Sequence, residues 1–400
     1  MESNKVREIL SQYETPLYCF DIDILKDRIQ YLRNKLPDKV SLCYAAKANT
    51  FIIKEIVNDV DCYEICSPGE LKICESLSIP MEKIVLSGVY KQESDIESLI
   101  KNKYSIGTYT VESLKQFLLL GELSKLYHHK INVLLRYTSG SQFGLNKDII
   151  HYIIQNRNDF SFLNIRGIQY FSGTQKQSVK RLQREINKCL DLIKELKELY
   201  GYNTEEFEFG PGLPVEYFSE KAFDEEQYLH DFSSLLESID PKIKITLEMG
   251  RTIAASCGYY LTRVVDTKTN NKENYAVVDG GIHQLVYYGQ AMAMKIPEYD
   301  VYHMDIEESG VKNSDIKKWN ICGALCTVND ILVKQIEIDN FKIGDALVFK
   351  NTGAYCPTEG MSLFLTRDLP EVILTDKNNT QCVRKKLKTD LINMPNYNLI

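Results

Sequence analysis

The sequence has no apolar run long enough to cross a membrane. The polar, charged stretch 1–14 has no apolar core of the kind a secretion signal carries. There is no excess of positive charge either: 48 Lys and Arg stand against 55 Asp and Glu, for a net charge of −7. That removes the whole-chain signature of nucleic-acid or anionic-membrane binding. The short basic run Arg384-Lys385-Lys386 reads as a solvated face. Cysteine is plentiful, but the count of eleven is odd, and Cys62 and Cys66 lack a second pair at zinc-site spacing. No metal site is expected. With no secretion signal, free thiols and a cytoplasmic location are the expectation. Internal repeats and low-complexity linkers are missing too.

What is present is an ordinary globular composition, 44% hydrophobic and 26% charged over 400 residues, enough for one large domain or two moderate ones. From about residue 24, strand-like and helix-like segments alternate. Strands are expected at 40–46, 62–65, 83–86, 104–109, 131–136, 165–171, 206–209 and 243–248. Residues 50–57 read as a helix start. The clearest helix is 178–199, where Leu182, Ile186, Leu190, Ile193 and Leu196 repeat at helical spacing. Eight such alternations predict a (β/α)8 barrel over 24–256, with an open doubly wound sheet as the competing architecture. After residue 257 the pattern becomes strand-rich, at 259–265, 275–278, 331–338 and 346–349, with a turn at 341–345. Residues 257–400 read as a mostly antiparallel β domain, joined by a strand within 1–23 from Thr15-Pro16-Leu17-Tyr18-Cys19-Phe20. The stretch 289–319 reads as a long excursion.

In a barrel, functional groups gather at the C-terminal ends of strands. Lys47, in Tyr44-Ala45-Ala46-Lys47-Ala48-Asn49, ends the first expected barrel strand. Held there, its amine can condense with an aldehyde. Arg136 ends the fifth strand, Gly173-Thr174 follows the sixth, Gly210-Pro211-Gly212 the seventh, and Glu248-Met249-Gly250-Arg251 ends the eighth. Glycine is the default turn residue. Two Gly-rich corners after neighbouring strands, with Arg251 at the end of the next strand, point further, to a phosphate site.

Several motifs stand in one order: Tyr44-Ala45-Ala46-Lys47-Ala48-Asn49, Ser67-Pro68-Gly69-Glu70-Leu71, Phe143-Gly144, Gly173-Thr174-Gln175, Glu248-Met249-Gly250-Arg251, Val278-Asp279-Gly280-Gly281, Gly323-Ala324-Leu325-Cys326 and Gly353-Ala354-Tyr355. In that order the chain resembles, over nearly its whole length, the fold-type III decarboxylases that use pyridoxal phosphate. This group contains ornithine, diaminopimelate and bacterial arginine-type decarboxylases. The resemblance implies a cofactor-binding barrel plus a β domain of the alanine racemase-like type, a homodimer with active sites at its interface, and an amino-acid substrate. It implies that Lys47 is the Schiff-base lysine and that Glu248 pairs with the pyridinium nitrogen. It further implies that Thr174, Gly212, Gly250, Arg251 and Tyr355 form the phosphate cradle, and that Arg136 and Glu64 support the cofactor. Cys326 corresponds to the cysteine contributed across the dimer interface for reprotonation; read without the resemblance, it is a buried core thiol.

Departures from the family bear on substrate. Phe171 stands where many members stack a histidine on the cofactor ring. A phenyl ring stacks but offers no proton. Thr327 replaces the acidic residue that follows the cysteine in ornithine and diaminopimelate enzymes. Tyr287 stands where diaminopimelate enzymes carry an arginine for the distal carboxylate. His283 is a candidate wall of a substrate channel, with a structural histidine as the equal alternative. Leaving a charged substrate end unpaired is costly. The Asp279-Gly280-Gly281-Ile282-His283 and Gly173-Thr174-Gln175 variants are similar to the branch that decarboxylates carrier-protein-bound amino acids. The expectation is an α-decarboxylase of an amino acid with a carrier-bound or otherwise non-standard distal end. Diaminopimelate decarboxylase, an amino-acid racemase and a non-catalytic cofactor-binding homologue remain the alternatives; Glu248 argues against the racemase, which places an arginine at the ring nitrogen.

Overall fold

The structure, a computed structural model, describes residues 1–218, 223–304 and 316–395. The chain divides into two compact units. One spans Arg28–Val215 and Asp224–Ile253; the other takes Met1–Asp27, a short insert beginning at Glu216, and the described residues from Ala254 onward.

The latter unit comes first in sequence and opens with helix α1 (Ser3–Gln12), then strand β1 (Leu17–Asp21) and helix α2 (Ile22–Lys35), which runs into the barrel unit. The segment 1–23 therefore adds a helix as well as the expected strand. Val6, Ile9 and Leu10 explain α1: they fall on one helical face and enter a core with Leu17, Cys19, Leu261 and Ile373.

The barrel unit alternates strand and helix: β2 (Val40–Ala45), β3 (Cys62–Ile65), α3 (Pro68–Ser76), β4 (Ile84–Leu86), α4 (Glu93–Lys101), β5 (Thr108–Val111), α5 (Leu114–Leu126), β6 (Ile131–Arg136), α6 (Lys147–Gln155), β7 (Leu163–Phe171), α7 (Val179–Tyr200), β8 (Glu206–Gly210), α8 (Glu225–Glu237) and β9 (Lys244–Met249). All eight strands pair in parallel, and β2 pairs with β9 (Cys43 with Glu248) to close the barrel. The doubly wound alternative is thereby excluded. Four helix starts carry side-chain caps: Ser67 before α3, Ser113 before α5, Asn146 before α6 and Asp224 before α8. On α7 the buried stripe is Leu182, Ile186, Cys189, Leu192, Ile193 and Leu196; Leu190 sits at its margin. Gly201 ends α7 in the left-handed region.

Two local expectations fail. Residues 50–57 form two short 3-10 turns, Thr50–Ile52 and Lys54–Ile56, where Phe51, Ile52, Ile53 and Ile56 are poor propagators of a short helix. Residues 104–107 are a connector, and β5 starts only after Gly107, whose backbone lies against the carbonyl of Glu82.

The sheet unit continues with a short helix, α9 (Arg251–Ala254), that bridges from the barrel unit, then β10 (Gly258–Asn270), β11 (Glu273–Val278), β12 (Tyr299–Tyr302), β13 (Ile316–Cys322), β14 (Ile331–Asp339), β15 (Ala346–Phe349), β16 (Glu371–Thr375) and β17 (Thr380–Arg384). The excursion 289–319 thus holds β12 and the start of β13, and its residues 305–315 lie outside the described residues. The nine strands form one mostly antiparallel sheet, ordered β14-β13-β11-β10-β1-β16-β17, with β15 joining β10 to β12. Only β1–β16 and β11–β13 are parallel pairs.

Gly258 and Gly353 meet backbone to backbone here: a Cβ on Gly258 would land on the main chain of Gly353, and one on Gly353 on the Ala254 carbonyl. Gly258→Ala is expected to destabilise the protein by about 3 kcal/mol, because backbone cannot yield as a side chain tip does. A urea unfolding midpoint unchanged from wild type would contradict this. Among the described residues, no helix is long and apolar enough to cross a membrane.

Candidate active site

Strand β2 ends in the turn Ala46–Ala48, which lifts Lys47 to the C-terminal mouth of the barrel. Its Nζ lies 2.7 Å from Glu64 Oε2 and 3.3 Å from Glu248 Oε1. Both carboxylates are nearly buried, whereas the lysine side chain keeps a third of its surface exposed. The amine is thus accessible and held between two acids contributed by β3 and β9. Gln169 Nε2, from β7, donates to Glu248 Oε2 at 3.1 Å. Burial, then the neighbouring Glu64 charge, push the Glu248 pKa up, against the pull of Lys47 and Arg136.

Around this pair lie further polar groups. Cys66 Sγ donates to Glu64 Oε1 at 2.9 Å and sits 3.9 Å from Lys47 Nζ. Burial, followed by the Glu64 charge, pushes its thiol far up, so it stays protonated. Arg136 Nη1 pairs with Glu112 Oε1 at 2.8 Å, and its guanidinium lies over the Phe143 ring at 4.9 Å. Lys91, from the loop after β4, donates to the carbonyls of Ser87 at 3.1 Å and Gly88 at 2.8 Å. Desolvation lowers it to about 8, with Glu112 pulling the other way.

The Gly-rich corners come together. Gly212 has φ +60, and a Cβ there would strike the Gly173 carbonyl and Thr174. Lys176 N donates to Gly212 O at 2.9 Å. Gln175 brackets Val215, accepting from its N–H at 2.7 Å and donating to its carbonyl at 3.0 Å. Thr252 Oγ1 donates to Leu213 O at 3.1 Å, which ties the third corner, Gly250-Arg251, to the second. A Cβ on Gly250 would crowd those of Ala45 and Ala48, next to Lys47. Phe171 ends β7 with its ring packed over Gly210. Beside it, Ser172 donates to Glu185 Oε1 at 2.6 Å, and buried Lys176 pairs with Glu185 Oε2 at 2.7 Å.

These residues fit pyridoxal phosphate. A partly exposed amine can condense with an aldehyde, a buried acid stands 3.3 Å from it for a ring nitrogen, and the corner at Gly173, with open space where a Cβ would stand, suits the approach of a phosphate. The barrel unit thus gathers Lys47, Glu64, Arg136, Phe171, Thr174, Gly212, Glu248, Gly250 and Arg251 at its C-terminal rim.

The remaining candidates belong to the sheet unit. Cys326 is exposed, contrary to a core thiol, and Thr327 follows it half-buried. Their loop is pinned by Asp330, whose Oδ2 accepts from Leu325 N at 2.7 Å and whose Oδ1 accepts from Ile282 N at 2.8 Å. That carboxylate joins the Gly280-Gly281 and Gly323-Ala324 motifs. Tyr355 has φ 70 and opens the turn Cys356–Glu359. His283 is buried, and desolvation, with Arg367 second, lowers it to about 4, so it is neutral at pH 7. Tyr287 is not an open wall residue: it is buried against Tyr217 and Phe218, and its hydroxyl donates to Lys350 O at 2.6 Å.

Cys66, Lys91, Glu112, Gln169 and Asp330 were not anticipated from sequence. Glu112 and Gln169 fall on inward positions near strand ends, a signal that alternation along β5 and β7 contains. Lys91 and Asp330 lie in loops, where no periodicity marks them.

Comparison with known proteins agrees with this geometry. The chain is 25% identical to the decarboxylase of the L-glutamyl-BtrI acyl-carrier protein from Niallia circulans, covering 98% of this chain and 95% of that protein. It is 25% identical to diaminopimelate decarboxylase from Aquifex aeolicus, covering 100% and 96%. The crystal structure of the Methanocaldococcus jannaschii diaminopimelate decarboxylase with L-lysine shares the fold with a TM-score of 0.81 at 24% identity, over 97% of this chain and 93% of that one. The profile of the pyridoxal-dependent decarboxylase family, pyridoxal binding domain, matches residues 22–255, more than half of the chain. The barrel with Lys47 and Glu248 at its mouth is therefore that binding domain, and the chain belongs to the family of pyridoxal-dependent decarboxylases.

Proposed function

We propose that this enzyme removes the α-carboxylate of an amino acid whose distal end is uncharged, such as a glutamyl thioester on a carrier protein. The observation that carries this reading lies beside Cys326. Thr327 offers a hydroxyl where an ammonium-binding acid would be needed, and the Tyr287 hydroxyl is already committed to Lys350 O. Neutral His283 adds no charge at neutral pH. Such surroundings suit an amide or thioester arm and penalise a free charged end. The relative that acts on a glutamyl carrier protein supports the same choice.

Pyridoxal phosphate, when bound, supplies the electron sink for the pair released as carbon dioxide leaves. Lys47 would hold it through Nζ, the amine placed between Glu64 and Glu248. Glu248 would set its carboxylate, fixed by Gln169, against the protonated ring nitrogen. Thr174, Gly212, Gly250 and Arg251 would hold the phosphate, a role the resemblance also gives to Tyr355. Phe171 covers the ring without exchanging protons. Cys326, exposed on the sheet unit, delivers a proton from a second copy of the chain in a homodimer. Among the described residues no cysteine is in a disulfide, which suits a reducing cytoplasm.

Carbon dioxide release from carrier-bound glutamate, free glutamate and free diaminopimelate tests the proposal. The carrier-bound form is expected to exceed free diaminopimelate by about 100-fold or more in kcat/KM. Equal or better turnover of diaminopimelate would replace this reading with the diaminopimelate decarboxylase one.

A further inference from the structure

Beneath the Lys47–Glu248 pair, the barrel interior holds an acid that the chemistry above leaves unused. Glu208 on β8 is fully buried, and neither of its carboxyl oxygens has a hydrogen-bond partner. Its register partner on β7 is Gln169. Paired positions on neighbouring strands share a face, so both side chains point into the barrel. Gln169 is satisfied on one side only: Nε2 donates to Glu248 Oε2, and Oε1 has no partner.

The register partner of Glu208 on β9, Thr246, spends its hydroxyl on Glu206 Oε1 at 2.8 Å, and the titratable groups around Glu208 are acids and thiols. They are Glu248 from β9, Glu64 and Cys62 from β3, Glu206 from its own strand, and Cys43 from β2. Two buried acceptors in register are both satisfied only if one of them carries a proton. An amide oxygen does not carry one at neutral pH; a carboxyl can. Turning the Gln169 amide over is no remedy, because its oxygen would then face the Glu248 carboxylate.

We infer that Glu208 is a neutral carboxylic acid whose hydroxyl donates to Gln169 Oε1, making it the positioning residue for the amide that holds Glu248. A chain of contacts then runs Lys47–Glu248–Gln169–Glu208 from the barrel mouth to its interior. Burial first, and then the Glu248 charge, raise the Glu208 pKa well above the usual carboxylate range, as the neutral form requires. The inference holds whichever amino acid is decarboxylated.

Two variants of the full chain test it. Glu208→Gln keeps a donor at the same place; Glu208→Leu keeps the volume and removes the donor. The infrared spectrum of wild type minus E208Q at pH 7, with and without pyridoxal phosphate, is expected to show the carbonyl stretch of a protonated carboxyl. The melting temperature supplies a second readout. A carboxyl raised in the folded state stabilises fully below its unfolded value of about 4.3, and that contribution is lost as pH rises through the folded value. Wild type is therefore expected to lose stability relative to E208Q as pH rises above about 5. On the amino acid that wild type decarboxylates, E208L is expected to lower kcat roughly 10- to 100-fold with KM nearly unchanged, and E208Q to restore most of it. The absence of the acid band, or an E208Q protein as impaired as E208L, would overturn the inference. If E208L does not fold, the infrared comparison decides alone, and it does so even if no substrate is found.

Discussion

Lys47→Ala is expected to remove the covalent attachment of the cofactor and to lower turnover by at least 10²- to 10⁴-fold, about the contribution of one positioned proton-transfer group. The argument rests on placement. Nζ is exposed enough to react, yet held 2.7 Å from Glu64 and 3.3 Å from Glu248, and a lysine on the open surface has no such setting. Borohydride reduction of the loaded protein, followed by peptide mass analysis, checks it: wild type should carry the reduced pyridoxyl group on the Lys47 peptide, and K47A on none. Label on Lys91, an amine in the loop after β4 with a pKa lowered to about 8, would move the reactive centre to that loop. The variant also leaves two buried carboxylates without their shared cation. Its melting temperature should therefore fall below that of wild type, and further as pH rises and the acids ionise.

Glu248→Gln is the second large effect, about a 10²- to 10³-fold loss in kcat with the cofactor still bound. An amide keeps the shape and the Gln169 neighbourhood but cannot set a negative charge against a protonated ring nitrogen. Cofactor affinity, read from an absorbance titration, should change much less than kcat, because the phosphate corners at Gly173, Gly212 and Gly250 are untouched. The pH dependence has a definite sign. Glu248 is raised by burial and then by Glu64, so its protonated form contributes stability that is complete below the unfolded carboxylate value and declines as pH rises through the folded one. Melting curves of wild type should accordingly fall relative to E248Q towards alkaline pH. Unchanged kcat in E248Q would remove Glu248 from the ring-nitrogen role.

Much of this was legible in the sequence because local chemistry wrote it there. The strand–helix alternation, the lysine ending β2 and the Gly-rich corners after β7 and β8 all follow from neighbours within a few residues. Closure did not: the pairing of Cys43 with Glu248 joins residues at opposite ends of the barrel, and periodicity contains no term for it. Helix α1 was hidden because its three core residues, Val6, Ile9 and Leu10, sit among charged and polar ones. Tyr287 stands at a position that the resemblance gives to an arginine, and the sequence held no sign of the two aromatic neighbours and the carbonyl that surround its phenol. Gln169 and Glu208 alternate correctly with their strands, but an inward polar residue only becomes informative once the opposite walls are known.

The pairing of β1 also bears on how the protein is made. Leu17 sits between Leu261 on one side and Glu371 on the other. A ribosome adding about 5–20 residues per second needs roughly 20–70 s to cover the ~350 residues from β1 to its parallel partner. The barrel unit, whose internal partners are complete by Ile253, is finished well before that moment. Translation thus passes through a stage with a closed barrel and an unfilled sheet edge. A chain that stalls or is cut before Glu371 keeps that edge open, the kind of surface on which strands of other molecules add and on which chaperones act.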